Sequence, residues 1–257
     1  MTFKLLKTYF DLLTYFRNGW ELIRALRGGP PCQTAILWNG IRLIHPPGRG
    51  GLVDVLVEVW LQRTYTPSEF YRPCNGDVVV DVGANVGLFT VWMSRQNPRC
   101  RVVALEPFNE NFRCLKANIE VACPQRAVAH QVALGAASGR GHMRAVGERS
   151  LDHRLSLNDI TSVQETVPVI SLAGLFDLAQ TDRIALVKVD IEGGERETFE
   201  HAKTDTLRRL DHLAIEYHDH LQPGTLNLLQ RRLAATHRLT TTPSVLPGCG
   251  ILLATRL

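Results

Sequence analysis

Four short segments of this 257-residue chain carry residue types and spacings suited to chemistry. In the first, Val78-Val-Val-Asp-Val-Gly-Ala-Asn-Val-Gly87, a β-branched run passes directly into a turn bearing Asp81, Gly83, Asn85 and Gly87. Glycines there let backbone approach a ligand closely, and the start of a following helix presents amides that have no partner within it. The turn is not G-x-G-x-x-G, because three residues separate its glycines. The second is Glu106, placed after the apolar run 101–105, where a strand-end carboxylate can accept both hydroxyls of a ribose. Turn and acid together point to a nucleoside ligand. The third and fourth are Asp190-Ile-Glu192-Gly-Gly-Glu195 and Glu216-Tyr-His218. Glu216 and His218 are two apart on a strand and face one side of the sheet. His218 titrates near neutrality and is the expected general base, oriented by Glu216 or Asp190. The same four side chains, Asp190, Glu192, Glu216 and His218, are also hard or borderline ligands for Mg²⁺ or Mn²⁺. No metal is expected here, and the metal reading is kept as the alternative.

These groups must be positioned by an alternating series of strands and helices. Runs 78–82, 101–105, 127–134, 185–189 and 212–218 read as strands, and 86–96, 110–121, 172–179, 195–202 and 225–236 as helices. The tail, with Gly248 and Gly250, fits a closing strand pair. The succession predicts an α/β fold, a doubly wound and mostly parallel Rossmann-like sheet over residues 61–257. Residues 1–60 read as an appendage. Leu6, Tyr9, Leu13, Phe16, Trp20 and Ile23 make one helical stripe ending near Gly28, and Asn39-Gly40 between two apolar runs predicts a hairpin over 34–44. Residues 52–61 lean to helix. The polar stretch 135–164 reads as an irregular insertion with one hairpin near 142–145.

The D-x-G-x-N-x-G turn resembles the S-adenosylmethionine-binding turn of Rossmann-like methyltransferases. VVVDVGANVGLFT, ALEPFNENFRCLKAN, VKVDIEGGERETFE and LAIEYH, in that order over about residues 65–220, resemble the FkbM family of S-adenosylmethionine-dependent methyltransferases. The resemblance implies a class I methyltransferase fold and O-methylation of a hydroxyl on a sugar, glycan or polyketide-type small molecule. It assigns cofactor contacts to Asp81, Gly83, Ala84, Asn85, Gly87 and Glu106, with Phe108 and Asn109 beside the adenosine and Asp190 at the neighbouring strand end. In that setting the acidic corner aligns the acceptor hydroxyl and removes its proton. Residues 1–60 and 135–164 match none of these motifs. His142, Arg144, Arg149, His153, Arg154, Asp219 and His220 are candidates to line the acceptor pocket.

Composition agrees with a globular enzyme and excludes disordered and fibrous classes: 45% of residues are hydrophobic and 21% charged. A formal charge of +4 does not by itself imply nucleic acid, and no basic stripe with interleaved aromatics follows the motifs. A nucleic-acid methyltransferase and a non-catalytic membrane-surface module stand as alternatives. Six scattered cysteines without a C-x-x-C pair suit a reducing compartment, and no apolar run is long enough to span a membrane. A cytoplasmic protein is expected. Its first helix is an accessory that packs against the main domain or a second copy of the chain, with peripheral docking to a membrane as the alternative and a lid over the substrate compatible with either.

Overall fold

The computed structural model describes residues 3–145, 153–156 and 165–257. The chain opens with helices α1 (Phe3–Tyr15) and α2 (Gly19–Leu26), a hairpin of β1 (Thr34–Ile36) and β2 (Arg42–Ile44), and α3 (Leu52–Leu56). A π-helical turn, Val57–Gln62, continues α3. Then come β3 (Val78–Val82), α4 (Leu88–Gln96), β4 (Arg101–Leu105), α5 (Asn109–Ala122), β5 (Ala127–His130), β6 (Ala133–Leu134), β7 (Gly139–Ala145), β8 (His153–Ser156) and β9 (Glu165–Ile170). The last part contains α6 (Gly174–Ala179), β10 (Leu186–Val189), α7 (Glu195–Glu200), α8 (Thr204–Leu207), β11 (His212–His218), α9 (Thr225–Leu233), β12 (His237–Pro243) and β13 (Cys249–Arg256).

The central sheet has the order β12-β13-β11-β10-β3-β4-β5. Strands β11, β10, β3, β4 and β5 are parallel, and β13 runs antiparallel to both its neighbours. Their continuous β-branched and apolar sequences follow from burial on both faces, since β3, β4 and β10 are interior almost throughout. The chain leaves β3 toward β4 on one side and returns through β10 on the other. The carboxyl ends of β3 and β10 therefore frame the crevice where ligands bind in such sheets.

Three expectations are corrected. The stretch 127–134 is not one strand: β5 ends at His130, and β6 belongs to a second sheet of order β6-β9-β7-β8. The region read as an irregular insertion thus supplies two strands of that sheet, β7 and β8, and β9 follows them. The single opening helix is broken at Phe16–Asn18, because the Arg17 amide donates to the Ile36 carbonyl and the Asn18 side chain bonds the backbone of Thr34 and Ile36. Its buried face is Leu12, Phe16, Leu22 and Ile23, while Leu6 and Trp20 of the expected stripe point outward.

Residues 1–60 share one apolar core with the sheet: Leu12, Phe16, Leu43 and Leu56 belong to the same buried cluster as Val79, Leu88 and Leu115. Asn118 of α5 fastens the two parts. Its amide nitrogen donates to Ile44 O (2.9 Å) and Val86 O (2.8 Å), and its oxygen accepts from Ile44 N at 2.7 Å. The side chain is buried, so Asn118→Ala leaves three backbone groups without partners. Urea denaturation of that variant should show a loss of about 2 to 4 kcal/mol. A loss below about 0.5 kcal/mol, the range of ordinary surface substitutions, would contradict the fastening role.

Candidate active site

The turn after β3 is held from three sides. Gly83 and Ala84 donate to the Leu105 carbonyl, and the Asn85 amide donates to Glu106 Oε2 at 2.8 Å. Gly83 has φ +72°, and a Cβ there would lie 1.8 Å from the Asp190 carbonyl oxygen, so only glycine lets the β3 and β10 turns touch. Asn85 also takes the left-handed conformation, at φ 51°. Gly87 is left-handed as well, at φ +85°, and a Cβ there would also meet Leu115 Cδ1 at 2.5 Å, where α4 packs on α5.

Gly83, Asn85, Glu106 and Asp190 line one cavity. Asn111 and Glu192 line it too, and its apolar walls include Val132, Leu134 and Met143, the last from the segment read as an irregular insertion. Glu106 accepts from the amides of Asn85 and Phe108, and burial pushes its carboxyl up to about 7. Two backbone donors fix its orientation, which leaves further lone pairs at the cavity wall for a ribose diol. Phe108 packs with Ala133, Met143 and Val167 behind that wall, and the Asn109 amide donates to Glu165. Asp81 differs from the expectation of direct contact. It is wholly buried, accepts from Thr90 Oγ1 at 2.6 Å and lies 3.5 Å from Lys188 Nζ. Its carboxylate organises the turn from behind.

Lys188, in the middle of β10, was not singled out from sequence. Its buried ammonium donates to Gly83 O at 2.7 Å and lies 3.5 Å from both Asp81 and Asp190 carboxylates. Burial alone would lower its pKa, but Asp190, Asp81, Glu216 and Glu58 hold it up to about 12. The signal was a lone charge inside the apolar run Leu186-Val-Lys-Val189. Tyr65 was missed as well. Its ring lies 5.2 Å from the Lys188 ammonium, and its hydroxyl reaches Glu216 Oε2 at 2.6 Å and Asp190 Oδ2 at 3.2 Å.

Asp190, Glu192, Glu216 and His218 do come together. His218 is almost fully buried, with Nδ1 3.0 Å from Glu195 Oε1 and Nε2 3.6 Å from Glu192 and 4.0 Å from Glu216. Burial would lower its pKa, but the hydrogen bond and charge of Glu195, then Asp190 and Glu192, raise it to about 10. That direction favours the imidazolium, which has no lone pair with which to take a proton, and the Nδ1 contact makes Glu195 the fixed partner of His218. Glu216 goes the other way: burial, then the charges of Asp190 and Glu58, push its carboxyl up to about 8. Glu192 holds a left-handed backbone, φ 51°, a strained state for a non-glycine residue. Ligand atoms of Asp190, Glu216 and His218 lie within 4.8 Å of one another, close enough to hold one divalent cation.

A second cleft reaches Glu216 from the opposite side, lined by Glu58 and Arg63 of the segment after α3 and by Thr242 and Val245 of the β12–β13 hairpin. Of the other candidates for the acceptor pocket, Asp219 accepts from the Leu226 amide at the start of α9, His220 Nδ1 lies 3.0 Å from Cys249 Sγ, and His142 bonds Thr166 across β7 and β9. Arg149 and the side chains of Arg144, His153 and Arg154 lie outside the described residues.

Comparison with known proteins agrees with this geometry. The model of the methyltransferase FkbM domain matches residues 81–234. The 31-O-demethyl-FK506 methyltransferase FkbM of Streptomyces tacrolimicus is 26% identical over 220 residues, covering 73% of this chain and 82% of its own. Methyltransferase 1 of Beauveria bassiana is 24% identical over 181 residues, covering 63% of this chain and 72% of its own. In fold, a candidate rRNA methylase from Clostridium thermocellum superposes with a TM-score of 0.52 at 8% identity, over 77% of this chain and 95% of that one. With the matched region spanning the β3 turn, Glu106 and the acidic corner, the chain belongs to the FkbM methyltransferase family, with a class I fold and S-adenosylmethionine as its methyl donor.

Proposed function

We propose that the enzyme transfers the methyl group to a hydroxyl oxygen of a sugar, glycan or polyketide-type small molecule, with Glu216 taking the proton. The observation that carries this reading is the Tyr65 hydroxyl joining Asp190, which lines the cofactor cavity, to Glu216, which lines the second cleft. Bound S-adenosylmethionine supplies a methyl on a sulfonium, open to in-line displacement. An acceptor entering by the second cleft would meet a carboxylate whose raised pKa suits proton abstraction near neutrality. Imidazolium His218, held by Glu195, offsets the negative charge of the corner and keeps Glu192 and Glu216 in place. O-methylation is also in the name of the Streptomyces tacrolimicus relative, whose substrate is a demethyl FK506. The rRNA methylase likeness concerns fold alone, and the second cleft leads to the carboxyl groups of Glu58 and Glu216.

One observation favours a second reading of the same corner. Asp190, Glu216 and His218 present ligand atoms at a spacing that fits Mg²⁺ or Mn²⁺, and Glu195 on Nδ1 leaves Nε2 directed at the two carboxylates, as in carboxylate-histidine-metal arrangements. A cation there would lower the pKa of the acceptor hydroxyl directly.

Incubation with S-adenosylmethionine and a panel of sugar, glycan and polyketide alcohols should give a product one methyl heavier, with an ether carbon by NMR. Methylation only of nitrogen or of RNA would overturn the proposal. Glu106→Ala should weaken S-adenosylhomocysteine binding by about 2 to 4 kcal/mol in calorimetry, through loss of charge-assisted hydrogen bonds. Unchanged affinity removes Glu106 from the cofactor site.

Glu216→Gln should lower turnover by about 10²- to 10⁴-fold while S-adenosylhomocysteine affinity stays the same. Because the base works deprotonated, kcat/KM of the parent enzyme should rise with pH to a plateau above about 8, and the residual activity of the variant should lose that limb. Chelator separates the two readings: activity that collapses and returns with Mg²⁺ or Mn²⁺ assigns the corner to a metal, and insensitivity assigns it to Glu216 alone.

A further inference from the structure

Exposed apolar side chains are unevenly placed on this molecule. Among the described residues, the exposed aromatics are Phe10, Tyr15, Trp20 and Trp38, all between α1 and β2, and Phe10 and Trp20 are 69% and 72% exposed. Tyr15 packs on Phe16 and Trp60, and Trp38 donates to the Leu13 carbonyl, but folding does not account for Phe10 and Trp20, because the inward face of α1 and α2 is already supplied by Leu12, Phe16, Leu22 and Ile23. Leu6, one turn from Phe10 along α1, is exposed too. The other concentration is the tip between β12 and β13, where Val245 is fully exposed and Leu246 is 56% exposed.

The tip reaches the second cleft through Val245, and the first two helices reach it through Lys4 and Leu26, while Tyr15 and Trp38 line a separate cleft with Trp60 and Trp92. Glu216 lines the second cleft as well. The charge follows the aromatics. Residues 1–44 hold six Lys and Arg against two Asp and Glu, a net +4 that equals the formal charge of the whole chain. One of the two acids, Asp11, is paired with Lys7. Lys4, Arg17, Arg24 and Arg27 are exposed beside the rings, and Arg63 lines the cleft itself.

Protruding aromatic and aliphatic side chains within a basic surround match the boundary of an anionic bilayer. Rings enter the headgroup and acyl boundary, and each Lys or Arg adds attraction to lipid phosphate. A symmetric contact with a second copy of the chain would set this basic surface against itself. No helix of the described residues is long and apolar enough to cross a membrane, so the contact would be peripheral.

We propose that the α1–β2 segment and the β12–β13 tip together seat the protein on an anionic lipid surface, with the second cleft opening toward the bilayer. An acceptor alcohol carried on an amphiphile would then reach Glu216 without leaving the membrane. That last step rests on the function proposed above, and the lipid contact does not.

The test uses the full chain and needs no acceptor. Flotation with phosphatidylcholine vesicles, with and without phosphatidylglycerol, should show binding to the anionic vesicles that weakens as salt is raised. Phe10→Ser with Trp20→Ser should lower vesicle affinity by about tenfold or more, since each removed ring loses buried apolar area. Val245→Ser with Leu246→Ser, an independent pair on a loop tip, should lower it in the same direction. S-adenosylhomocysteine affinity and the melting temperature should be unchanged in both, which separates lipid docking from folding and from the methyltransferase site. No binding to anionic vesicles, binding by both double variants equal to that of the parent, or displacement of vesicles by an RNA oligonucleotide would overturn the proposal. So would a change of mass by light scattering in the double variants, which would make the surface a contact between copies.

Discussion

Everything at the active site turns on one buried ammonium. Lys188 sits beneath the turn after β3, donating to Gly83 O and lying at equal distance from the carboxylates of Asp81 and Asp190. A charge with almost no exposure to water is tolerable only with such partners, and removing one partner of a buried pair typically costs about 3 to 5 kcal/mol. The pairing does more than stabilise. It ties the ends of β3 and β10, so the two turns that frame the cofactor crevice move as one. The Gly83 carbonyl is held by the ammonium while a Cβ on Gly83 would strike the Asp190 carbonyl, which makes the lysine and the glycine parts of one fit.

From that point the negative charge runs outward. Asp190 passes to Glu216 through the Tyr65 hydroxyl, Glu58 adds a further buried carboxyl pushed up to about 7 by burial and by Asp190, and Glu192 and Glu195 flank His218. Two cations, Lys188 and imidazolium His218, face this set. Carboxylates outnumber them, so desolvation and mutual repulsion raise Glu58 and Glu216 toward neutrality, where a carboxyl can exchange protons with a substrate. The same surplus of charge explains why the corner also has the ligand geometry for a divalent cation. Neither property needs an unusual residue, only acids from several elements brought to one strand edge.

The parallel sheet was legible because its strands are buried on both faces: Val78–Val82 and Arg101–Leu105 read as apolar runs, and Asn39-Gly40 marked the β1–β2 hairpin. Strand-end acids were legible because their position follows from the run lengths. Features that depend on tertiary partners were not. The break at Phe16–Asn18 comes from hydrogen bonds to β1, twenty residues away in chain order or nearly so, and no local propensity signals it. The division of 127–134 between two sheets depends on pairing of β6 with β9. The titration of His218 was read from its intrinsic range, but Glu195 reaches Nδ1 through the turn at Gly193–Gly194, and that contact shifts the imidazole toward its charged form. Tyr65 lies in a stretch without periodicity, and only the fold brings it to residues 190 and 216.

The two halves of the site therefore differ in how they are built. The cofactor side is made by the β3, β4 and β10 ends with their turns, plus the β6–β7 wall, and each of its glycines and acids is fixed by backbone geometry. The second cleft is made by the π-helical segment Val57–Gln62 and the β12–β13 hairpin, elements outside the parallel strands, with Tyr65 between it and Asp190. The π-helical turn is tied to the Lys188 corner, since the Glu58 charge bears on Lys188 and Trp60 Nε1 donates to Leu88 O at the start of α4, whereas Val245 and Leu246 of the hairpin tip are exposed. Tyr65, Glu58 and Glu216 join the halves: the Tyr65 ring and the charges of Glu58 and Glu216 bear on Lys188, and Glu58 and Glu216 also line the second cleft, so a change at any of the three is felt on both sides.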